Sequence, residues 1–237
     1  PFVNGVYFFD DQNGIMLGDP RSGIWGIGLT TDGGATWSAP PATPSAGSAS
    51  EAGWNNSFDV VGDTIWFGTN NARIYRSTDR GLSWTFGSTG ININSLDMAF
   101  GNGREGIACF RQTNGAGTRG LMVTRDGGST WVSATLPRGD AEPLGVTFVR
   151  GLNRAYLATQ YGVFETRDLG ATWTQMPVPQ IDFSGMDLDA AYDPTTGVIG
   201  AFGISTYSQI MGYRDTLSTT SVPGERMDEG SRVMTVG

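Results

Sequence analysis

The chain has 237 residues, enough to bury a full core, and its 36 glycines and 38% apolar content suit many short strands joined by many turns. It carries 15 basic against 23 acidic residues, a net charge of −8, and every basic residue is arginine. An acidic chain without a basic run is a poor ligand for nucleic acid or an anionic membrane, and no apolar run reaches the roughly 18 residues of a membrane span. The absence of histidine removes the commonest general base and the commonest zinc ligand, so neither a metal nor another cofactor is expected. Cys109, in Gly106-Ile107-Ala108-Cys109-Phe110, reads as a buried strand cysteine with no histidine to activate it.

In chain order, Val6–Phe9 predicts a strand, Asp10–Gly14 a turn and Ile15–Gly18 a second strand, because Asn-Gly between apolar runs is a hairpin signal. A third strand from Trp25 to Leu29 leads into Thr30-Thr31-Asp32-Gly33-Gly34-Ala35-Thr36-Trp37, and a fourth is expected to begin at Trp37. Residues 38–53 form a Pro/Ser/Ala-rich loop. Strands over 57–61, 64–68 and 73–77 then lead into Ser77-Thr78-Asp79-Arg80-Gly81-Leu82-Ser83-Trp84. Strands over 96–100, 106–111 and 121–124 precede Thr124-Arg125-Asp126-Gly127-Gly128-Ser129-Thr130-Trp131, with an insert at 112–120 lengthening one hairpin into a mobile loop. Strands over 144–149, 155–158 and 163–166 precede Thr166-Arg167-Asp168-Leu169-Gly170-Ala171-Thr172-Trp173. A fifth unit follows, with strands at 190–192 and 198–201, a turn at Asp193–Gly197, and Asp215 at the place where the spacing puts the box aspartate.

The repeated frame is [ST]-x-D-x-G-x-[ST]-W, and its tryptophans recur at intervals of 47, 47 and 42 residues. A near-fixed period in this range marks an array of similar small sheets. Each box predicts a strand–turn–strand corner. Asp32, Asp79, Asp126 and Asp168 bond amides of their own turns. Gly34, Gly81, Gly128 and Gly170 take a positive φ. Trp37, Trp84, Trp131 and Trp173 anchor the next strand and should be largely buried. On this reading Trp84→Ala costs about 3–5 kcal/mol. One aspartate per repeat supplies too few oxygens for calcium.

The frame resembles the Asp-box, or BNR, repeat of sialidases, xyloglucan-degrading enzymes, sortilin-type receptors and photosystem II assembly factors. The resemblance implies an all-β fold: a β-propeller of four-stranded antiparallel blades, each box a surface turn away from the active centre. Units at roughly 1–45, 46–92, 93–137, 138–180 and 181–222, with a tail over 223–237, form one propeller domain or part of one. The start at Pro1 and the abrupt end lead to the expectation of a segment of a larger six- or seven-bladed ring.

Catalysis has few candidates. Asp187 and Asp189, two apart on a strand, could share a face as a glycosidase pair needs. The sialidase pattern is poorly matched. Arg73-Ile74-Tyr75 is the nearest approach to its Arg-Ile-Pro motif, and Tyr161 and Glu165 lie on one repetitive strand. Residues 1–77 resemble secreted bacterial BNR-repeat proteins, which implies a non-catalytic, secreted or cell-surface binding or structural module. Its expected partners are a protein or a carbohydrate, or further strands in a self-assembly. The alternatives are a glycoside hydrolase with carboxylates at the ring centre, or a protein-assembly factor.

Overall fold

The computed structural model describes residues 2–91, 95–111, 119–177, 187–204, 210–216 and 233–236. Every regular element among them is a β-strand. The chain divides into two compact units, Pro1–Ala134 and Thr135–Gly237. The first unit holds three antiparallel sheets. β1 (Val3–Phe8), β2 (Gly14–Arg21) and β3 (Ile24–Thr30) form the first sheet, and β4 (Gly53–Val61), β5 (Thr64–Thr69), β6 (Arg73–Ser77) and β7 (Thr85–Ser88) form the second. β8 (Ser95–Phe100), β9 (Gly106–Arg111), β10 (Arg119–Thr124) and β11 (Val132–Ala134) form the third. The second unit holds two more. One comprises β12 (Pro143–Phe148), β13 (Ala155–Thr159), β14 (Gly162–Thr166) and β15 (Thr174–Gln175). The other comprises β16 (Asp187–Asp193), β17 (Val198–Ile204), β18 (Ile210–Thr216) and β19 (Val233–Val236). Strands neighbour each other in sequence order, so each sheet is a meander.

The first sheet departs from expectation. No fourth strand starts at Trp37; β3 instead meets the following segment at two isolated bridges, Leu29↔Ser38 and Ile24↔Ser45. Pro40, Pro41 and Pro44 lie between or beside those points, and proline has no N–H to donate to a ladder. The 112–118 part of the expected mobile insert and the 223–232 part of the tail fall outside the described residues.

Alternation along each strand gives every sheet two faces. In β5, Ile65 and Phe67 join Val60 and Tyr75 against Ile15, Leu17, Trp25 and Ile27 of the first sheet. Trp66, between them in sequence, points the other way and packs with Ile74 against Leu96, Met98, Phe100 and Ala108 of the third sheet. In the second unit Tyr156, Ala158 and Val163 pack with Ile199 and Ala201. Trp66 is fully buried and stacks on Phe100 at 3.8 Å with an interplanar angle of 7°. Its Nε1 donates to the carbonyl of Gly127, in the third box, at 2.8 Å. Main chains also approach closely there: a Cβ on Gly87 would lie 1.9 Å from the Gly128 carbonyl oxygen.

The four boxes share one hydrogen-bond pattern. The first Ser/Thr hydroxyl donates to the aspartate, from Thr30 to Asp32 at 2.8 Å, Ser77 to Asp79 at 2.7 Å, and Thr124 to Asp126 and Thr166 to Asp168 at 2.9 Å. The same oxygen accepts the box glycine's N–H at 2.8–2.9 Å. The carboxylate accepts the amide of the second Ser/Thr at 2.8–2.9 Å and its hydroxyl at 2.5–2.7 Å. Gly34, Gly81, Gly128 and Gly170 adopt φ between 80° and 91°, a region that a side chain disfavours. Arg80 and Leu169, at φ 58°, carry left-handed strain of roughly 1–2 kcal/mol each.

These bonds favour the charged carboxylate. Asp32 is held at about 2, chiefly by the Thr36 hydroxyl and then its amide. Asp126 is also held at about 2, chiefly by the Thr130 amide. The Thr172 hydroxyl lowers Asp168. At Asp79 burial opposes ionisation, but bonds from Ser83 and Ser77 outweigh it and the pKa falls.

The tryptophans differ from expectation. Trp131 is 9% exposed, whereas Trp37, Trp84 and Trp173 are only half-buried. Trp37, Trp84 and Trp131 donate Nε1 to the carbonyl of their own box glycine at 3.0–3.1 Å, so the ring lies along the turn. Trp173 donates instead to the Thr135 carbonyl at 3.0 Å. The fully buried indole is that of Trp66, outside any box. Trp66→Ala is therefore expected to lower stability in denaturant titration by about 3–5 kcal/mol, and Trp84→Ala by clearly less. The box carboxylates have folded pKa values below the unfolded value of about 3.9. Their contribution is complete above that value and is lost as pH falls through it towards about 2. The stability gap between the native chain and Asp126→Asn should accordingly shrink between neutral pH and about pH 2 in acid titrations followed by circular dichroism.

Candidate functional site

In the first, second and fourth sheets the two ends are chemically different. At one end the box turn lies beside the turn joining the sheet's first two strands. Gly33 N–H donates to the Gln12 carbonyl at 2.9 Å, Arg80 N–H to Asp63 at 3.0 Å and Gly127 N–H to Arg104 at 2.8 Å. In the fourth sheet Asn153 Nδ2 donates to the Arg167 carbonyl at 2.6 Å. Arg80 pairs with Asp63 at 2.7 Å and lies 5.0 Å from the centre of the Phe9 ring. The polar groups of the box itself bond one another, so this end is a closed structural corner.

At the other end lie the hairpin between the second and third strands and the loop entering the first strand. A side-chain amide clamps the two together. In the second sheet Asn70 Oδ1 accepts the Ala52 amide at 3.0 Å and its Nδ2 donates to the Ser50 carbonyl at 3.1 Å. In the fourth sheet Gln160 does the same, accepting from Glu142 N–H at 2.5 Å and donating to the Asp140 carbonyl at 3.0 Å. Glu51, 4% exposed, accepts the Thr69 hydroxyl at 2.7 Å and the Gly47 amide, which seats the 38–52 loop. The same loop is tied at Ser45, whose carbonyl accepts the Tyr75 hydroxyl at 3.0 Å.

In three of the sheets the first strand is bulged at this end. Gly53 pairs with Thr69 and Phe58 with Phe67, so residues 54–57 face Gly68. The Ser57 hydroxyl holds the bulge by donating to the Trp54 and Gly68 carbonyls, each at 2.9 Å. Register breaks at the matching place in β1, between Val3 and Gly5, and in β12, between Pro143 and Gly145. Bulges of this kind re-aim side chains and recur beside functional sites. Here they leave Trp54 half-buried and Asn55 exposed. In the second unit the corresponding loop carries Arg138, 4.0 Å from the centre of the Tyr161 ring, and Asp140, which accepts the Tyr161 hydroxyl at 2.6 Å. That hydroxyl, more than Arg138, lowers the Asp140 pKa.

Asp187 and Asp189 lie in β16 opposite Ile204 and Phe202. Asp189 is exposed and its Oδ1 accepts the Ala190 amide at 2.8 Å, while the Asp187 side chain lies outside the described residues. Asp215 is a strand residue of β18 opposite Ile199, and its side chain is also outside them. The turn expected at Asp193–Gly197 joins the first two strands of the fifth sheet, where Asp193 accepts the Thr195 amide at 2.8 Å and the Thr196 hydroxyl at 2.6 Å. Glu165, 5% exposed, pairs with Arg154 at 3.4 Å and Arg167 at 2.6 Å, while the Tyr161 hydroxyl goes to Asp140. Cys109 is buried, and burial pushes its thiol pKa up. Among the described residues no three His, Cys, Asp or Glu side chains gather as a metal site. The amide clamps were missed in the sequence, although Thr69-Asn70 and Thr159-Gln160 recur at one place in the repeat.

No family model and no curated protein sequence matches the chain. Solved structures do. A YCF48 chain bound to a D1 peptide is 16% identical, with a TM-score of 0.51 over 98% of this chain and 68% of that one. A GH74 enzyme of Niastella koreensis is 19% identical, with a TM-score of 0.53 over 91% of this chain and 30% of that one. The SapL1 lectin in complex with alpha methyl fucoside is 17% identical, with a TM-score of 0.50 over 94% of this chain and 77% of that one. The chain thus spans about two thirds of the YCF48 chain and under a third of the GH74 enzyme. These likenesses share one architecture with the sheets described above: the fold is a β-propeller of four-stranded antiparallel blades, the first reduced to three strands.

Proposed function

We propose that the chain is a non-catalytic Asp-box propeller, secreted or displayed at the cell surface, that binds a protein segment or a carbohydrate through the sheet ends opposite its boxes. One observation carries this reading: the polar residues that recur in the four boxes bond within their own turns, which gives them a structural account and leaves the opposite ends to vary. Loops held on a rigid scaffold are where binding residues concentrate. The bulged start of β4, with Trp54 and Asn55, offers an aromatic surface beside an amide. The Arg138–Tyr161–Asp140 group offers a cation, a ring and a carboxylate. Likeness to a YCF48 chain holding a peptide and to a lectin holding a fucoside supports both ligand classes.

Binding of the immobilised chain to glycan and extended-peptide panels tests this. Asn55→Ala or Arg138→Ala is expected to weaken a hit on the order of tenfold, while Thr36→Ala, at the box end, leaves it unchanged. A ligand lost only through box-end substitutions would refute the proposal. Turnover of a glycan hit that disappears in Asp189→Asn would replace it with the glycoside hydrolase reading.

A further inference from the structure

We propose that Asn102 is a self-modification site: the chain converts it, through a cyclic succinimide, to aspartate and isoaspartate, and the fold selects it over other asparagines that precede glycine. Among the described residues Asn precedes Gly at 4–5, 13–14 and 102–103. Glycine exposes its nitrogen to the preceding side chain because it has no side chain of its own. In the first two pairs the sheet holds that glycine. Gly5 lies in β1 opposite Leu17, and Gly14 lies in β2 between Phe8 and Thr30. Gly103 lies in the turn between β8 and β9, and among the described residues its N–H meets no acceptor.

The Asn102 amide is poised differently from the other two. Its Oδ1 accepts the Arg104 amide at 2.8 Å and the Glu105 amide at 2.9 Å. These bonds fold the side chain forward over the Gly103 peptide and bring Cγ towards the Gly103 nitrogen. They also set two donors on the oxygen that becomes negative when that nitrogen adds to Cγ. Asn4 and Asn13 are held by the amide nitrogen instead, which donates to Asp19 and to Asp10 at 2.9 Å.

The step balances with water alone. The Gly103 nitrogen bonds to Asn102 Cγ, the Cγ–Nδ2 bond breaks, and the proton from the Gly103 nitrogen passes through water to Nδ2, which leaves as ammonia. Water then opens the ring. Opening at Cγ gives aspartate, and opening at the main-chain carbonyl gives isoaspartate, whose main chain is one carbon longer. Every protein group involved belongs to residues 102–105, so the reaction needs nothing beyond the turn. Either product replaces the Nδ2 donor, now 3.2 Å from Glu105 Oε2, with a carboxylate facing a carboxylate. The same turn receives the third box: the Arg104 carbonyl accepts the Gly127 amide at 2.8 Å, and the Gly103 carbonyl accepts Arg76 Nη2 at 3.4 Å. Conversion therefore loosens a corner that joins the second sheet to the third.

Incubating the folded chain at one pH, with peptide mass spectrometry and enzymatic methylation of isoaspartate as readouts, tests the proposal. Asn102 is expected to convert on the order of tenfold faster than Asn4 or Asn13. In denaturant the three rates should converge. Gly103→Ala, whose Cβ meets nothing within 4 Å, should keep the circular dichroism spectrum and slow conversion at residue 102 on the order of tenfold. Equal rates in the folded chain, the same ranking in denaturant, or an unchanged rate in Gly103→Ala would overturn the proposal.

Discussion

The carboxylate of the box, bonded to an amide and a hydroxyl four residues further on, is the constraint on which the rest of the molecule depends. It closes a corner in which two successive residues take positive φ, a conformation that a chain of L-residues adopts only when held. Once the corner is closed, the third strand ends at a defined residue and the glycine main chain is presented to its neighbour. In the first unit the neighbour uses it directly. Trp66 of the second sheet reaches the Gly127 carbonyl of the third box, and the bare Gly87 lets main chain approach main chain. A local turn is thereby converted into a contact between sheets, and a repeat at the level of sequence becomes a repeat of packing.

That arrangement divides the labour between the two ends of each sheet. At the box end, hydroxyls, amides and carboxylates are matched to one another at short range, which holds the aspartates charged even where they are exposed. The opposite end is held by different means. Single amide side chains, Asn70 and Gln160, pin loops of unrelated sequence to the hairpins beside them. A loop fixed at two points can change its intervening residues at little cost to the core.

The strand order, the all-β character and the corner chemistry of the boxes were legible in the sequence because they depend on short-range rules: alternation, the Asn-Gly and box turns, and the reach of an aspartate to nearby amides. The spacing of the tryptophans made the repeat visible and with it the fold. What misled was distance along the chain taken as register. Counting forward placed Asp215 at a box, whereas the β17–β18 ladder makes it a strand residue opposite Ile199. The box tryptophan, read as the start of the next strand, also placed a fourth strand at Trp37, where prolines reduce the pairing to single bridges.

Burial was decided only by the tertiary structure. Four tryptophans in equivalent positions look alike in sequence, but only Trp131 is covered closely enough to be buried, by packing against Phe100 and the second sheet. Trp66 carries no motif and becomes the most enclosed indole, because its face is set by strand alternation and its partner, Gly127, lies 61 residues away. The same holds for Glu51, Asn70 and Gln160, whose partners are backbone groups that no local pattern names. The sequence by itself determined the turns, the strands and their repetition, since these are settled within a few residues. Which side chains became core, clamp or open surface depended on which sheet came to lie against which face, and only the folded chain decides that.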